Sequence, residues 1–397
     1  MQLVATATEL QELLPTLEKA TRLAFDLEAN GRFAYRARVC TIQLAWDEGT
    51  AIIDALAADL RPLARVLGER GPIKIVHDVA FDARMLAELG IELGNVQDTA
   101  LAAQMLGRPA TGLASLAASE LGVTLDKTLQ SHDWGKRPLA AASLAYLETD
   151  VRHLPALCDK LWAEVRGEGG PHPGTSIETE VLDETRHRLA SAIAGARAAS
   201  DEGGPRPAYT RIKGIDKLSP ADQAIVRRLA ETREREAELL DFPANELIGN
   251  SALLELARVR PTTVEELRRI KGAMPRHKGY AIARELVHAI AKGIADASVP
   301  DADRPWLERP RIAPEVAKTR RAREVTLLAW RKAVALERHV NEQVVLPGHC
   351  LQGVTELDAV DLAHLQAVPG IGALRVERDG PAILALLTAL TEEPKAG

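Results

Sequence analysis

The chain of 397 residues is 46% apolar and 27% charged, with a formal net charge of −6, which is too long for one ordinary core and fits a globular protein of two or three domains. No apolar run approaches the ~18 residues that cross a bilayer, and MQLVATATELQELL lacks the basic start of a signal peptide, so no membrane segment is expected. Cys40, Cys158 and Cys350 are odd in number and far apart, which argues against a disulfide framework or a zinc site and for a reduced, cytoplasmic setting.

The acid is unevenly spread. Residues 1–170 carry 17 Lys and Arg against 23 Asp and Glu, whereas the remainder is balanced at 33 against 33. Divalent cations would neutralise such N-terminal acid, although a surplus of this size is also an ordinary solvated surface.

In chain order, Leu23–Leu27, Val39–Ala45, Ala51–Asp54 and Ile73–Val76 read as strands. Leu10–Ala20, Leu56–Leu67, Ala83–Leu89, Thr99–Leu106 and Leu139–Leu161 have helical apolar spacing. Strands first and helices after imply an α/β layer fold around a central sheet. Gly/Pro-rich breaks follow at GEGGPHPG, near residue 168, and at DEGGPRP, residues 201–207, on either side of a helix over Ile177–Ala199. Beyond them the chain is helical, with a further break at VPDADRP, residues 299–305. Four segments are expected: a domain at 1–170, a linker at 171–205, and helical modules at 206–298 and 306–391. The two modules read as a distant duplication, each placing an apolar helix before an acidic-Pro or Leu-Pro turn.

Asp26 and Glu28 lie two apart on a strand and so share a face, with Leu27 turned into the core. Two carboxylates on one face repel unless a cation lies between them. His77 to Asp82 follows the strand Ile73–Val76, which puts Asp82 at the carboxyl edge of the sheet, where ligands of open α/β folds collect. Asp82 is equally read as an ordinary helix N-cap. Tyr146 and Asp150 are one helical turn apart on one face, which places a hydroxyl beside a carboxylate, or simply marks an amphipathic helix.

Taken together, D-x-E on an early strand, H-x4-D after a later one and Y-x3-D on a late helix resemble the three motifs of the DEDD exonuclease superfamily, tyrosine variant. His132-Asp-Trp-Gly-Lys-Arg-Pro-Leu139 resembles the S-D-W-x-x-R-P-L signature of the ribonuclease D family, and Thr41-Ile-Gln-Leu44 its I-Q-L strand. Tyr209-Thr-Arg-Ile-Lys-Gly214 and Asp241-Phe-Pro243 resemble parts of a first HRDC domain, and Ala329-Trp-Arg331 with Leu346-Pro347 parts of a second. The chain departs from the family at Asp26-Leu27-Glu28-Ala29, where D-T-E-F is usual; the ligands survive but an aromatic is lost.

The resemblance implies a ribonuclease H-like exonuclease domain with a mixed sheet, followed by two all-α HRDC domains. It implies a 3′–5′ exoribonuclease using two divalent ions, Mg²⁺ or Mn²⁺, held by Asp26, Glu28, Asp82 and Asp150. Oxygen-only ligands suit those ions. Asp26, Glu28 and Asp150 are assigned to the ion that activates water. Asp26 would bridge to a second ion, with Asp82 acting through its hydration shell, and Tyr146 would position or deprotonate the water.

His77, Phe81, Trp134 and Arg137 are the candidate substrate contacts, with Phe33 and Tyr35 as further aromatics for stacking a base. His77 is also read as a structural histidine, Trp134 as core and Arg137 as part of an ion pair. Residues 206–300 carry 17 basic against 13 acidic side chains, and the Val368-Pro-Gly370-Ile-Gly372 turn is a candidate phosphate contact. The implied substrate is RNA with a free 3′ end, such as tRNA precursors and other small stable RNAs. No nucleotide cofactor is expected, because there is no G-x4-G-K-[ST] loop, and a monomer is expected. A DNA exonuclease and a non-catalytic nucleic-acid-binding protein remain the alternatives.

Overall fold

The computed structural model describes residues 1–169, 173–200, 206–308 and 312–392. Parts of the two Gly/Pro breaks, at 170–172 and 201–205, lie outside the described residues.

Six strands form one sheet: β1 (Gln2–Val4), β2 (Arg22–Ala29), β3 (Val39–Trp46), β4 (Gly49–Asp54), β5 (Ile73–Val76) and β6 (Val96–Asp98). Their order is β1-β4-β3-β2-β5-β6, with β2–β3 and β3–β4 antiparallel and the other pairs parallel. The sheet is therefore mixed. Leu23, Phe25 and Leu27 of β2 point into one core, while Ala24 points into another on the opposite face. Alternation thus carries Asp26 and Glu28 to the face of Ala24. β1 and β6 escape the sequence reading because three residues are too few for a period to show.

The longer helices of this part are α1 (Ala7–Lys19), α2 (Val79–Glu88), α3 (Thr99–Met105), α4 (Ala141–Arg152) and α5 (Leu154–Val165). The single helix expected over Leu139–Leu161 breaks at His153. Pro155 falls in the first turn of α5, where its missing N–H leaves no helical bond unmade. The helix expected over Leu56–Leu67 is helical only from Arg61; Asp54 instead turns the preceding chain by accepting from Leu56 N–H at 3.1 Å. α6 (Glu178–Ser200) then packs along α2.

Helices α7 (Pro220–Leu239) and α8 (Gly279–Asp296) dominate the first helical module, and α9 (Pro314–Glu337) and α10 (Ala373–Glu392) the second. Each module has its own core. Their common origin shows in matched anchors. Arg233 donates to the Ile248 carbonyl at 3.3 Å, and Arg331 to that of Leu346 at 3.1 Å. Asp241 and His339 both have positive φ, 43° and 52°. One constant offset relates all three pairs. Leu346-Pro347 therefore matches Ile248-Gly249, and the counterpart of the Asp241–Pro243 turn lies near His339, which corrects the pairing of turns read from sequence.

The second module docks on the sheet-bearing part through Glu180 of α6, which is 2% exposed and lies between Arg338 and Arg378. The Val368–Gly372 turn is turned inward by the same docking. A side chain at Gly370 would meet His187 and His349, and one at Gly372 the Asp183 carboxylate. His187, His349 and Asp183 thus stand against the two glycines, so the turn is engaged by the chain's own side chains on that side.

Candidate active site

β2 delivers Asp26 and Glu28, and its register sets Gln43 opposite Asp26 and Thr41 opposite Glu28. Both partners are neutral, so the strand opposite supplies no counter-charge. α4 packs against β2, β3 and β4, with Leu147 and Val151 buried. Tyr146 and Asp150, each one residue earlier on the helix, consequently turn toward the site. One carboxylate oxygen from each of Asp26, Glu28 and Asp150 lies within 4.8 Å of the others.

Without a cation this arrangement holds protons tightly. Burial raises Asp26 to about 7. Burial, with the charges of Asp26 and Asp150, raises Glu28 to about 9. Burial, with Asp26, raises Asp150 to about 8. No basic side chain is a partner of any of the three in the described hydrogen bonds and ion pairs. A half-buried, oxygen-only cluster fits a hard divalent ion and gives no thiolate or imidazole for a softer one.

Asp82 is buried, and burial with the charges of Asp26 and Glu28 lifts it well above the carboxylate range. It is not one of the three carboxylates within 4.8 Å. Nor is it an N-cap: α2 begins at Val79, Asp78 holds the N-cap position in the left-handed region at φ 67° without a side-chain cap, and Asp82 completes the first turn. Tyr146 is pushed far above the usual phenol range by burial and by Asp150, Glu28 and Asp26. The carboxylates that would hold a cation therefore also surround the Tyr146 hydroxyl.

A 3′–5′ exonuclease family model matches residues 1–166, and an HRDC domain model matches residues 222–290 and 321–387. The ribonuclease D of Granulibacter bethesdensis is 30% identical over 315 residues, covering 78% of this chain and 75% of that protein. That of Desulfotalea psychrophila is 31% identical over 269 residues, covering 67% of this chain and 68% of that protein. The chain belongs to the ribonuclease D family. Escherichia coli RNase D shares the fold, with a TM-score of 0.67 at 23% identity over 98% of both chains. As a ribonuclease D, the chain is a metal-dependent 3′–5′ exoribonuclease.

The candidate substrate contacts of this ribonuclease D divide. Phe81 precedes Asp82, is 46% exposed and has the Arg84 guanidinium 5.6 Å from its ring centre, so it is free to meet a base. Trp134 is 1% exposed, within a core of Cys40, Ile52 and Leu147. It cannot stack on substrate, and this corrects the sequence assignment. Its Nε1 lacks a partner at hydrogen-bonding geometry, yet it is close enough to Glu28 to pull that carboxyl downward.

Arg137 is also reassigned. Nε and Nη2 donate to Asp54 at 2.6 and 2.7 Å, Nη2 to the Cys40 carbonyl at 2.8 Å, and Nη1 to the carbonyls of Trp134 and Lys136 at 2.7 and 2.8 Å. Five N–H groups meet five acceptors, leaving none for a phosphate. His77 Nδ1 lies 2.9 Å from Thr99 Oγ1, whose hydroxyl donates to the Val76 carbonyl, and burial lowers its pKa. These contacts hold the His77 ring against α3. Tyr35 packs on the first helical module.

Sequence reasoning missed Asp98. Fully buried at the end of β6, it accepts from Ala100 and Leu101 N–H of α3 and from Asp78 and Val79 N–H at the start of α2. One carboxylate therefore ties together two helix starts, including the one that carries Asp82. Val96-Gln-Asp98-Thr99 before an apolar helical run was the available signal.

Proposed function

We propose that Asp26, Glu28, Asp82 and Asp150 hold two divalent ions, Mg²⁺ or Mn²⁺, and that the chain shortens RNA one nucleotide at a time from the 3′ end. The observation that carries this is the convergence of Asp26, Glu28 and Asp150 within 4.8 Å, three acids with no cationic partner among the described residues. Bound ions would neutralise the phosphate and lower the pKa of the attacking water. Asp26, whose charge raises Glu28, Asp82 and Asp150, would hold the ions together with those three carboxylates. Tyr146 would donate a hydrogen bond that orients the nucleophile. Phe81 would stack on a terminal base.

Support for a role in 3′ maturation of tRNA precursors and other small stable RNAs comes from family membership. The exonuclease domain would span 1–170 and the HRDC domains 206–298 and 306–391, acting as a monomer in the cytoplasm. Among the described residues no helix is long and apolar enough to cross a membrane.

The test is digestion of 5′-labelled RNA and DNA with Mg²⁺, Mn²⁺ or EDTA. Stepwise RNA shortening that stops in EDTA is expected, and Asp150→Asn should abolish cleavage yet still bind RNA. Faster loss of DNA would reassign the substrate, and near-full activity of Asp150→Asn would overturn the metal site.

A further inference from the structure

Gln43 and Thr41 of β3 stand directly across from Asp26 and Glu28 of β2. Residues paired in this way point to the same face of the sheet, with Cβ atoms ~4.5–5.5 Å apart. The two neutral side chains therefore lie beside the two acids, on the face that α4 covers. Both are 0% exposed.

Burying an amide costs free energy unless its hydrogen bonds to water are replaced. Elsewhere β3 is mostly apolar, with Ile42 and Leu44 in one core and Ala45 in the other. Gln43 is only half satisfied among them. Its Nε2 donates to Thr41 Oγ1 at 2.7 Å, while its Oε1 is buried with no partner among the described residues. A carbonyl oxygen can only accept, so the missing partner is a donor.

The acids beside Gln43 cannot supply that donor once they are ionised. The Nε1–H of Trp134 is directed to Glu28 instead. A hydrated cation does supply one. Mg²⁺ bound by protein carboxylates keeps several of its waters, whose hydrogens point away from the ion toward acceptors lining the site. An amide accepts them without adding charge. A further carboxylate at this position would add repulsion to acids that already hold their protons tightly.

We propose that Gln43 is a positioning residue of the metal centre, its Oε1 accepting a hydrogen bond from the hydration shell of an ion held by Asp26 and Glu28. Thr41 anchors the amide by taking its Nε2 hydrogen. Partners of this kind orient the ligands of a site and tune its affinity without touching the ion. The inference rests on the metal reading of the carboxylates and adds a neutral member to the site. It also sets a sign. Without a cation Oε1 stays unsatisfied, so Gln43 favours the metal-bound protein over the metal-free one.

The experiment uses the full chain, stripped of metal and free of RNA, with Mn²⁺ as the probe. Titration calorimetry gives the dissociation constant, and thermal melts in EDTA and in Mn²⁺ give stability. Gln43→Met keeps the length of the side chain and removes its polar atoms. It should weaken Mn²⁺ binding about tenfold, the lower end of what losing such a partner costs. Its melting temperature in EDTA should equal or exceed that of the unaltered chain, and its gain on adding Mn²⁺ should be smaller. Thr41→Val, which leaves the acceptor but frees the amide, should weaken binding by a smaller factor. Equal Mn²⁺ affinity in the unaltered chain and Gln43→Met overturns the inference, whatever happens to stability. If Gln43→Met melts lower in EDTA and also binds less, Thr41→Val decides: weaker binding at an unchanged EDTA melting temperature supports the role, and unchanged binding overturns it. An unaltered chain that binds no Mn²⁺ would remove the metal reading first and this inference with it.

Discussion

The rings of Trp134 and Tyr146 lie 5.7 Å apart between centres, with planes inclined at 36°. Trp134 is fully buried, with His132 against its edge at 5.0 Å. The indole therefore acts as a wall that fixes the phenol, and through it the hydroxyl beside Asp150. Trp134→Ala should lower stability by about 3–5 kcal/mol, since an indole-sized cavity cannot close. Trp134→Phe should keep most of the fold while lowering kcat more than it raises KM. Thermal melts and steady-state kinetics on RNA check both, and a KM effect alone would return Trp134 to the substrate.

Arg137 gives a contrasting expectation. Asp54 is nearly buried and its carboxylate is held by Arg137 alone among the described ion pairs. Removing the guanidinium strands a buried charge, which costs about 3–5 kcal/mol. Arg137→Ala should therefore melt much lower. At a temperature where it is still folded, its KM for RNA should change less than about twofold, because no donor faced the substrate. A large KM increase with an unchanged melting temperature would restore the phosphate role.

These two residues show where the sequence is and is not informative. Asp26 and Glu28 were legible because a strand has a period of two, and Tyr146 and Asp150 because a helix repeats near four. Both rules act within one element. Whether Trp134 faces substrate or core, and whether Arg137 meets a phosphate or Asp54 83 residues away in sequence, depends on contacts between elements, about which local spacing is silent. The same limit applies to Asp82: its helix starts four residues earlier than the apolar period suggests because Asp98, from another strand, holds the N–H groups of Asp78 and Val79. The weak repeat in the helical half was visible, but its register became clear only through the anchors Arg233 and Arg331.

Asp98 leads to a prediction about metal activation. Oδ1 accepts from Asp78, Ala100 and Leu101, and Oδ2 from Val79. Asp98→Ala removes caps from two helices, at about 1–2 kcal/mol each, and frees the first turn of α2, on which Asp82 sits. The Mg²⁺ concentration for half-maximal rate should rise several-fold. Asp98→Asn keeps the Oδ1 contacts and should fall between the two. Titrating Mg²⁺ at fixed RNA measures this; equal Mg²⁺ requirements in all three proteins would confine Asp98 to stability.

The acidic cluster links stability, pH and metal. Asp26, Asp150 and Glu28 have folded pKa values near 7, 8 and 9, against ~4 in an unfolded chain. The folded protein thus binds more protons than the unfolded one across that interval. The stabilisation is complete below about pH 4 and is lost as pH rises through 7 to 9. Divalent ions replace those protons, so they should stabilise little near pH 5 and increasingly toward pH 9. Melting temperatures in EDTA should fall from pH 5 to 9, and the rise on adding Mg²⁺ should widen over the same range. Asp150→Asn removes one of the repelling charges. In EDTA at pH 8–9 it should melt above the unaltered chain, while gaining less from Mg²⁺ and cleaving no RNA. A melting temperature in EDTA that is flat between pH 5 and 9 would mean that the three carboxylates are relieved by some other charge, and the argument for a cation between them would fail.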